Sequence, residues 1–365
     1  MIPLKVAIID SYLSVVDLEL CRTLMNVGID AQIITSKRSH IQYRNTGIQF
    51  KDDSLRITTL DSLESPIMGL NLYFPFPVLH NLLSTLEKEA PEVVQTTEHV
   101  SSPSFWVNAK KGNWNSVLIE RAGEWDGIVP RFKIHSALAK KLVIPKVDGF
   151  GALSSFAADI LRGLGCKKEI ASIPNPVDTD AFNVQVPWSE RKNVVLYVGR
   201  LTRIKMVHIL IAAMPIVHEK VPDAELWLIG DGDEEENYKR LAAGKSYIRF
   251  LGSKARGELS HYYNQARMLV MLSNKKMTGI GVATEEAMAC GVPIVGSKGI
   301  PFDEDEHIFY SRTELTSEDF ANNIIRCLSQ GEKQSIAARV VAEKKYSYSA
   351  VGTNYKKMLN GMDRN

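Results

Sequence analysis

The sequence predicts an α/β protein of two Rossmann-like, doubly wound domains, and three observations support this. Apolar runs of strand length alternate along the chain with segments of helical periodicity, beginning with KVAIID at residues 5–10. The length of 365 residues exceeds what a single hydrophobic core usually serves. Residues 267–297 give a strand, a glycine-containing turn, a short helix and a second strand, which together predict a βαβ unit.

Composition excludes several classes of protein. Hydrophobic residues make up 45% of the chain and charged residues 24%, as in soluble globular proteins. The net charge of +2 argues against nucleic acid as the main partner. Four scattered cysteines form no CxxC pair, so we expect reduced thiols and neither a zinc site nor a disulfide framework. Since no apolar run approaches the ~18 residues of a membrane span, we expect a cytoplasmic protein, at most peripheral on the inner face of a membrane.

The first half of the chain alternates predicted strands and helices. The predicted strands are 5–10, 31–35, 93–97, 117–120, 148–154 and 169–173, and the predicted helices are 15–27 and 155–164. In an open α/β sheet, ligands collect outside the carboxyl ends of the strands. His99 and Arg121, which follow two of these strands, are therefore candidates to face a ligand. A lone loop histidine is more often solvated than catalytic, whereas a guanidinium suits bidentate phosphate contacts.

A basic stretch follows at residues 131–146, with five Lys or Arg and no acid. Ile134, Ala137, Leu138 and Leu142 fall at helical spacing. The simpler interpretation is a solvated helix face. The alternative is a peripheral contact with an anionic membrane.

The second half offers a candidate anion site. A predicted strand at 194–199 ends in Gly199 and is followed by Arg200 and Lys205. In the βαβ unit, Gly279 and Gly281 open the helix, so backbone N–H groups and the helix N-terminus can approach an anion. Glu286 lies about one turn into that helix. An ordinary βαβ unit with glycines for packing is the alternative, and a dinucleotide fingerprint is incomplete because Thr284 replaces its third glycine.

The segment EEAMACGVPIV at residues 285–295 resembles the donor site of the retaining glycosyltransferases of family 4, which have the GT-B fold. Their pattern is an acid, any residue, an aromatic residue and glycine, then four further residues, and then Glu-Ala-Met-Ala-x-Gly-x-Pro. Thr278 stands here in place of the first acid, while Glu286 matches the second. VGRLTRIK at 198–205 resembles the family's Gly-Arg-Leu…Lys-Gly motif, with Met206 in place of the last glycine. IPNPVDTDAF at 173–182 resembles the segment that ends the first domain in relatives.

The resemblance implies two Rossmann-like domains facing across a cleft. We expect an acceptor domain at 1–182, a donor domain at 183–345, and a terminal helix at 346–365 that crosses back to the first domain. The implied reaction moves a sugar from a UDP- or GDP-linked donor to an acceptor with retention of configuration, without a metal or other cofactor. The acceptor, a glycan, glycolipid or small molecule, is not indicated.

The resemblance also assigns roles to residues. Arg200 and Lys205 would act in catalysis by stabilising the departing diphosphate, with N–H groups of Gly281 and Val282, and His99 and Arg121 are weaker catalytic candidates. The residues expected to bind the donor are Gly199, Arg200, Lys205, Leu251, Gly252, Thr278, Gly279, Ile280, Gly281, Val282 and Glu286. Many relatives carry a histidine just after the strand that corresponds to 117–120, where this chain has Glu120 and Arg121. Two alternatives remain open: a GT-B sugar-nucleotide epimerase, and a catalytically degenerate protein that only binds nucleotide sugars.

Overall fold

The structure is a computed structural model, and it describes residues 3–39, 54–63, 66–67, 72–73, 78–110, 112–121, 130–273, 279–297, 300, 309–313 and 315–362. The chain separates into two compact units. One comprises Met1–Pro176 together with Tyr348–Asn365, and the other Val177–Ser347. No helix among the described residues is both long enough and apolar enough to cross a membrane.

The first unit is built on a parallel sheet. Its strands are β1 (Lys5–Ile9), β2 (Asp30–Ser36), β3 (Ile57–Leu60), β4 (Ser62–Leu63), β5 (Pro66–Ile67), β6 (Leu72–Tyr73), β7 (Val78–Leu79), β8 (Val93–Thr97), β9 (Asn115–Glu120), β10 (Gly149–Ala152) and β11 (Ile170–Ser172). Seven of them form the sheet in the order β3-β2-β1-β8-β9-β10-β11, while β4 pairs with β7 and β5 with β6. The strand order reverses between β1 and β8, which marks the topological switch point of this sheet.

Helices cover both faces of that sheet. They are α1 (Val15–Asn26), α2 (Leu82–Glu89), α3 (Ser102–Ala109), α4 (Pro130–Leu142), α5 (Ser155–Gly163) and, at the end of the chain, α12 (Tyr348–Asn360). In β1, Val6 and Ile8 pack in one apolar cluster with α1 and α12, and Ala7 and Ile9 pack in another with α2 and α3. Burial on both faces explains why this strand reads as a continuous apolar run.

The second unit repeats the architecture. Its strands are β12 (Lys192–Val198), β13 (Glu225–Ile229), β14 (Ile248–Gly252), β15 (Ala266–Met271), β16 (Ile294–Ser297) and β17 (Phe309–Thr313). All pair in parallel in the order β14-β13-β12-β15-β16-β17, so the switch point lies between β12 and β15. The helices are α6 (Val207–Lys220), α7 (Glu235–Leu241), α8 (Arg256–Gln265), α9 (Val282–Ala289), α10 (Ser317–Gln330) and α11 (Glu332–Val341).

The core of the second unit has the same two layers. Val195 and Tyr197 of β12 pack against one layer of helices, and Val194 and Leu196 pack against the other. The predicted α/β class with two Rossmann-like, doubly wound units is therefore confirmed.

The boundary between the units lies at Pro176/Val177, six residues before the expected end of the first domain at residue 182. The reason is packing, since Val177 and Phe182 are buried in the core of the second unit. The Val177 N–H also donates to the Tyr346 carbonyl at 2.8 Å. After residue 347 the chain rejoins the first unit, where α12 packs against α1 and the Tyr355 hydroxyl donates to Gln95 Oε1 at 2.8 Å.

Candidate functional site

Helix α9 of the second unit is the centre of the candidate site. It begins after Gly281, whose φ of +83° lies in the left-handed region that glycine adopts without strain. From Thr284 to Ala289 the helix is buried. The first N–H groups of a helix have no acceptor within it, and the helix dipole makes this end positive. The N-terminus of α9 is thus suited to an anion.

The opposite end of α9 is held by two arginines. Arg191 donates to the carbonyls of Cys290 at 2.7 Å and Gly291 at 3.2 Å. Arg339 donates to the Ala289 carbonyl at 2.7 Å. These cations satisfy the last carbonyls of the helix and complement its negative end. Burial lowers the pKa of Arg191 to about 10, so the side chain stays charged at neutral pH.

Glu286 lies inside a buried hydrogen-bonded group. Arg256 Nε donates to Glu286 Oε1 at 2.6 Å, and the Tyr263 hydroxyl donates to Oε2 at 3.1 Å. Burial raises the pKa of Tyr263 well above its ordinary value, which keeps its hydroxyl proton available for this bond. The protein itself therefore orients the carboxylate of Glu286, and its expected contact with ribose stays a prediction.

The loop after β12 carries the two predicted cations. Arg200 is exposed, and Lys205 ends a single 3-10 turn, Arg203–Lys205, where it is half-buried. Next comes Met206, whose φ of +49° places a non-glycine residue in the left-handed region. The family motif has glycine here, and the backbone conformation explains why: a side chain at this φ costs on the order of 1 kcal/mol.

The neighbouring loop after β13 fixes the shape of the β12 loop. The Leu201 N–H donates to the Asp231 carbonyl at 2.7 Å, and the Glu234 N–H donates to the Leu201 carbonyl at 2.9 Å. Gly230 permits this approach, because a Cβ at that position would lie 2.1 Å from the Gly199 carbonyl oxygen. The Gly230 N–H in turn donates to the carbonyl of Gly252, at the end of β14, at 3.0 Å.

Most of the predicted donor-binding residues thus follow strands of one sheet, at its carboxyl edge. Gly199, Arg200 and Lys205 come after β12, Leu251 and Gly252 end β14, and Gly279, Ile280, Gly281, Val282 and Glu286 come after β15. Because β12 and β15 flank the switch point, the segments that follow them leave the sheet at the place where doubly wound sheets bind ligands. Thr278 lies outside the described residues.

His99 belongs to the first unit, and the structure does not place it in solvent, which was the alternative to a catalytic role. Its side chain is buried. Nδ1 lies 2.8 Å from Glu120 Oε2, and Nε2 lies 2.9 Å from the Ser136 hydroxyl. The Glu120 carboxylate also accepts the backbone N–H of His99 at 3.1 Å. These contacts fix the ring in place, and its catalytic role stays a prediction.

Arg121 also lies in the first unit, where Nη1 donates to Asp17 Oδ1 at 2.7 Å. Asp17 is fully buried and its other oxygen accepts the N–H of Ser14, the N-cap of α1. The arginine is therefore held by an ion pair, and its role as a phosphate contact is an untested prediction.

Sequence reasoning missed a group of carboxyls beside His99 and Arg121. Glu98 has a left-handed backbone, with φ +63°. Burial and the charge of Glu120 raise its pKa to about 8. Burial and the charge of Asp17 raise the pKa of Asp10 well above its ordinary value. No motif signals such a cluster, because the residues meet only where β1, β8 and β9 end side by side.

The family comparisons agree with this geometry. Residues 14–181 match the family described as Glycosyltransferase Family 4, and residues 192–330 match the one described as Glycosyl transferases group 1. The chain belongs to the GT-B glycosyltransferases.

Individual relatives are more distant. The chain is similar to the sulfoquinovosyl transferase SQD2 of Arabidopsis thaliana, with 27% identity over 49% of this chain and 38% of that protein. It is also similar to the amylovoran biosynthesis glycosyltransferase AmsK of Erwinia amylovora, with 28% identity over 51% of this chain and 48% of that protein. In both cases the match spans less than half of the relative's own length. A D-inositol 3-phosphate glycosyltransferase of Pseudarthrobacter chlorophenolicus is 24% identical over 81% of this chain and 76% of that protein.

Solved structures share the fold over almost the whole chain. Anabaena HepE in complex with UDP has a TM-score of 0.74 at 15% identity, covering 98% of this chain and 100% of that one. Sucrose-phosphate synthase from Thermosynechococcus elongatus has a TM-score of 0.69 at 17% identity, covering 98% of both chains. At these identities the likeness supports the fold.

A stability measurement tests the carboxyl group of Glu98. The folded protein holds a proton on Glu98 up to about pH 8, whereas the unfolded chain releases it near the ordinary value of 4.5. The free energy of unfolding therefore falls as the pH rises between those values. Glu98→Gln should reduce that slope in urea denaturation, and Glu87→Gln, a change at an exposed carboxyl, should leave it unchanged. Equal slopes in the wild type and Glu98→Gln would show that Glu98 is charged in the folded protein.

Proposed function

We propose that the protein transfers a sugar from a nucleotide-diphosphate sugar to an acceptor hydroxyl, with retention of configuration. The proposal rests mainly on the structure of α9. This buried helix begins after Gly281, and arginine side chains bind the carbonyls at its other end. It follows β15 at the switch point, next to the strand whose loop carries Arg200 and Lys205. This arrangement supplies positive potential without a metal ion.

The chemistry follows from where charge develops. As the bond between the sugar and the diphosphate breaks, negative charge grows on the phosphate oxygens. Fixed cations and N–H groups stabilise that charge more than the charge of the intact donor. In this proposal Arg200, Lys205 and the N–H groups of Gly281 and Val282 supply this stabilisation, while Glu286 accepts hydrogen bonds from the ribose hydroxyls.

The donor and acceptor are only partly indicated. HepE was crystallised with UDP and with UDP-glucose, and a Corynebacterium glutamicum relative is named as GDP-mannose-dependent, so both bases are candidates. Thr278 stands where the family pattern has an acid, and we propose that the donor sugar differs at the ring position this residue faces. We also propose that residues 131–146 make a peripheral contact with an anionic membrane. This contact would bring a lipid-linked acceptor close to the protein.

Substitution of Lys205 tests the proposed chemistry. Lys205→Ala should lower kcat at least tenfold, about 1.4 kcal/mol of transition-state stabilisation, with a smaller effect on the affinity for the free nucleoside. Lys220→Ala, at the exposed far end of α6, is the matched control and should leave kcat unchanged. Transfer is followed by mass spectrometry of products from a panel of nucleotide sugars with cell-extract acceptors. An unchanged kcat in Lys205→Ala would remove the lysine from the reaction.

The same panel separates the alternatives. Epimerised or free sugar formed without an acceptor would identify a sugar-nucleotide epimerase. Tight donor binding without any turnover would identify a binding protein that has lost catalysis.

Metal independence is the second testable part of the proposal. Enzyme treated with EDTA should keep its rate, because protein cations and the helix dipole neutralise the leaving group. The rate is measured before and after chelation, and again after addition of Mg²⁺ or Mn²⁺. A rate that disappears with EDTA and returns with either ion would contradict this part.

A further inference from the structure

Helix α4 of the first unit exposes its apolar side chains instead of burying them. Ile134, Leu138 and Leu142 are between 45% and 63% exposed. Their spacing of four residues places them in one line along the helix. The opposite side of α4 packs into the first unit through smaller residues, Ala139 and Val143. The apolar stripe that the sequence contains therefore lies on the outside of the protein.

The neighbouring helix α3 adds an aromatic side chain. Helix α3 packs against α4, and its Phe105 contacts the apolar cluster that includes Ala139 and Val143. The next residue, Trp106, is 49% exposed. A single exposed apolar residue needs no explanation, but a line of three along one helix does. Tryptophan is enriched where a protein meets the boundary between water and lipid.

The positive charge of α4 and its flanking residues indicates which kind of partner this face binds. From residue 130 to residue 147 the sequence holds five Lys or Arg and no acid. Lys140 and Lys141 are exposed on α4 itself. Lysine is depleted at the centre of protein–protein interfaces. Lysines interleaved with large apolar side chains on one helix instead suit an anionic lipid surface, where the stems lie along the apolar layer and the ammonium groups contact headgroups.

We propose that the exposed face of α4, formed by Ile134, Leu138, Leu142 and Lys141, binds the surface of an anionic membrane. The face lies flat on the lipid, because α4 has only 13 residues and cannot cross the bilayer. This inference extends the membrane contact that belongs to the proposed function, and it names the residues that make it.

Vesicle flotation with the full chain tests the proposal. The protein should float with vesicles of phosphatidylcholine mixed with phosphatidylglycerol, and much less with phosphatidylcholine alone. Binding should weaken as salt is added, since the attraction between lysines and headgroups is screened. Ile134→Ser/Leu138→Ser should reduce the bound fraction by about tenfold or more.

Two matched controls accompany these variants. Ile336→Ser/Val340→Ser changes two side chains on α11 that are 66% and 40% exposed at the same spacing, and it should leave vesicle binding unchanged. Lys140→Glu/Lys141→Glu should weaken binding to the anionic vesicles, whereas Lys356→Glu/Lys357→Glu on α12 should not. Circular dichroism of each variant checks that the fold is retained.

Three results would overturn the proposal. The first is no flotation of the wild type, and the second is equal flotation of Ile134→Ser/Leu138→Ser and Ile336→Ser/Val340→Ser. The third is a dimer in sedimentation that Ile134→Ser/Leu138→Ser dissociates, which would make the face an interface between two copies. Calorimetric binding of UDP and GDP, measured in the same variants, reports on the donor site separately. A wild-type protein that binds nucleotide but not anionic vesicles would therefore refute the lipid proposal and leave the proposed donor site standing.

Discussion

The candidate site depends on how one short helix is fixed at its C-terminal end. Helix α9 has eight residues, too few to be stable in isolation, so packing and end contacts decide its position. At its C-terminal end, Arg191 and Arg339 donate to three successive carbonyls, those of Ala289, Cys290 and Gly291. Buried carbonyls without these partners would each cost on the order of 1–3 kcal/mol. Protein cations thus satisfy that end, and the N–H groups of Gly281 and Val282 lie at the other end, where the helix dipole favours an anion.

The strand order gives these groups their location. In the second unit the loops after β12 and β15 leave the sheet at the switch point, one carrying cations and the other leading to α9. The β12 loop is held in turn by hydrogen bonds to the loop after β13 and by the close approach of Gly230. The backbone of the β12 loop is thus held in place before a ligand arrives, and such preorganisation is what electrostatic catalysis requires.

Local sequence patterns predicted much of the fold. Continuous apolar runs such as 194–198 predicted strands buried on both faces, and Gly281 marked the start of α9 correctly. Met206, which stands in place of the motif glycine, has a left-handed backbone, and this is the conformation that glycine adopts without strain.

The errors arose where contacts join residues far apart in the sequence. Arg191 donates to the carbonyls of Cys290 and Gly291, about 100 residues later in the chain, and no pattern in the sequence around it predicts these contacts. For His99, a solvated loop position was one interpretation, because no local sequence pattern predicts its contacts with Glu120 and Ser136. The exposed face of α4 is a third case. Helical periodicity shows which apolar residues share one side of the helix, but only tertiary packing decides whether that side is buried.

The central claim is that α9 and the β12 loop bind a diphosphate. Calorimetric titration of the protein with a nucleoside, its monophosphate and its diphosphate, for both uridine and guanosine, tests it most directly. For the cognate base, the diphosphate should bind at least about 100-fold more tightly than the nucleoside, roughly 2.7 kcal/mol. The gain should diminish as salt is added. Equal affinities for the nucleoside and its diphosphate would contradict the claim.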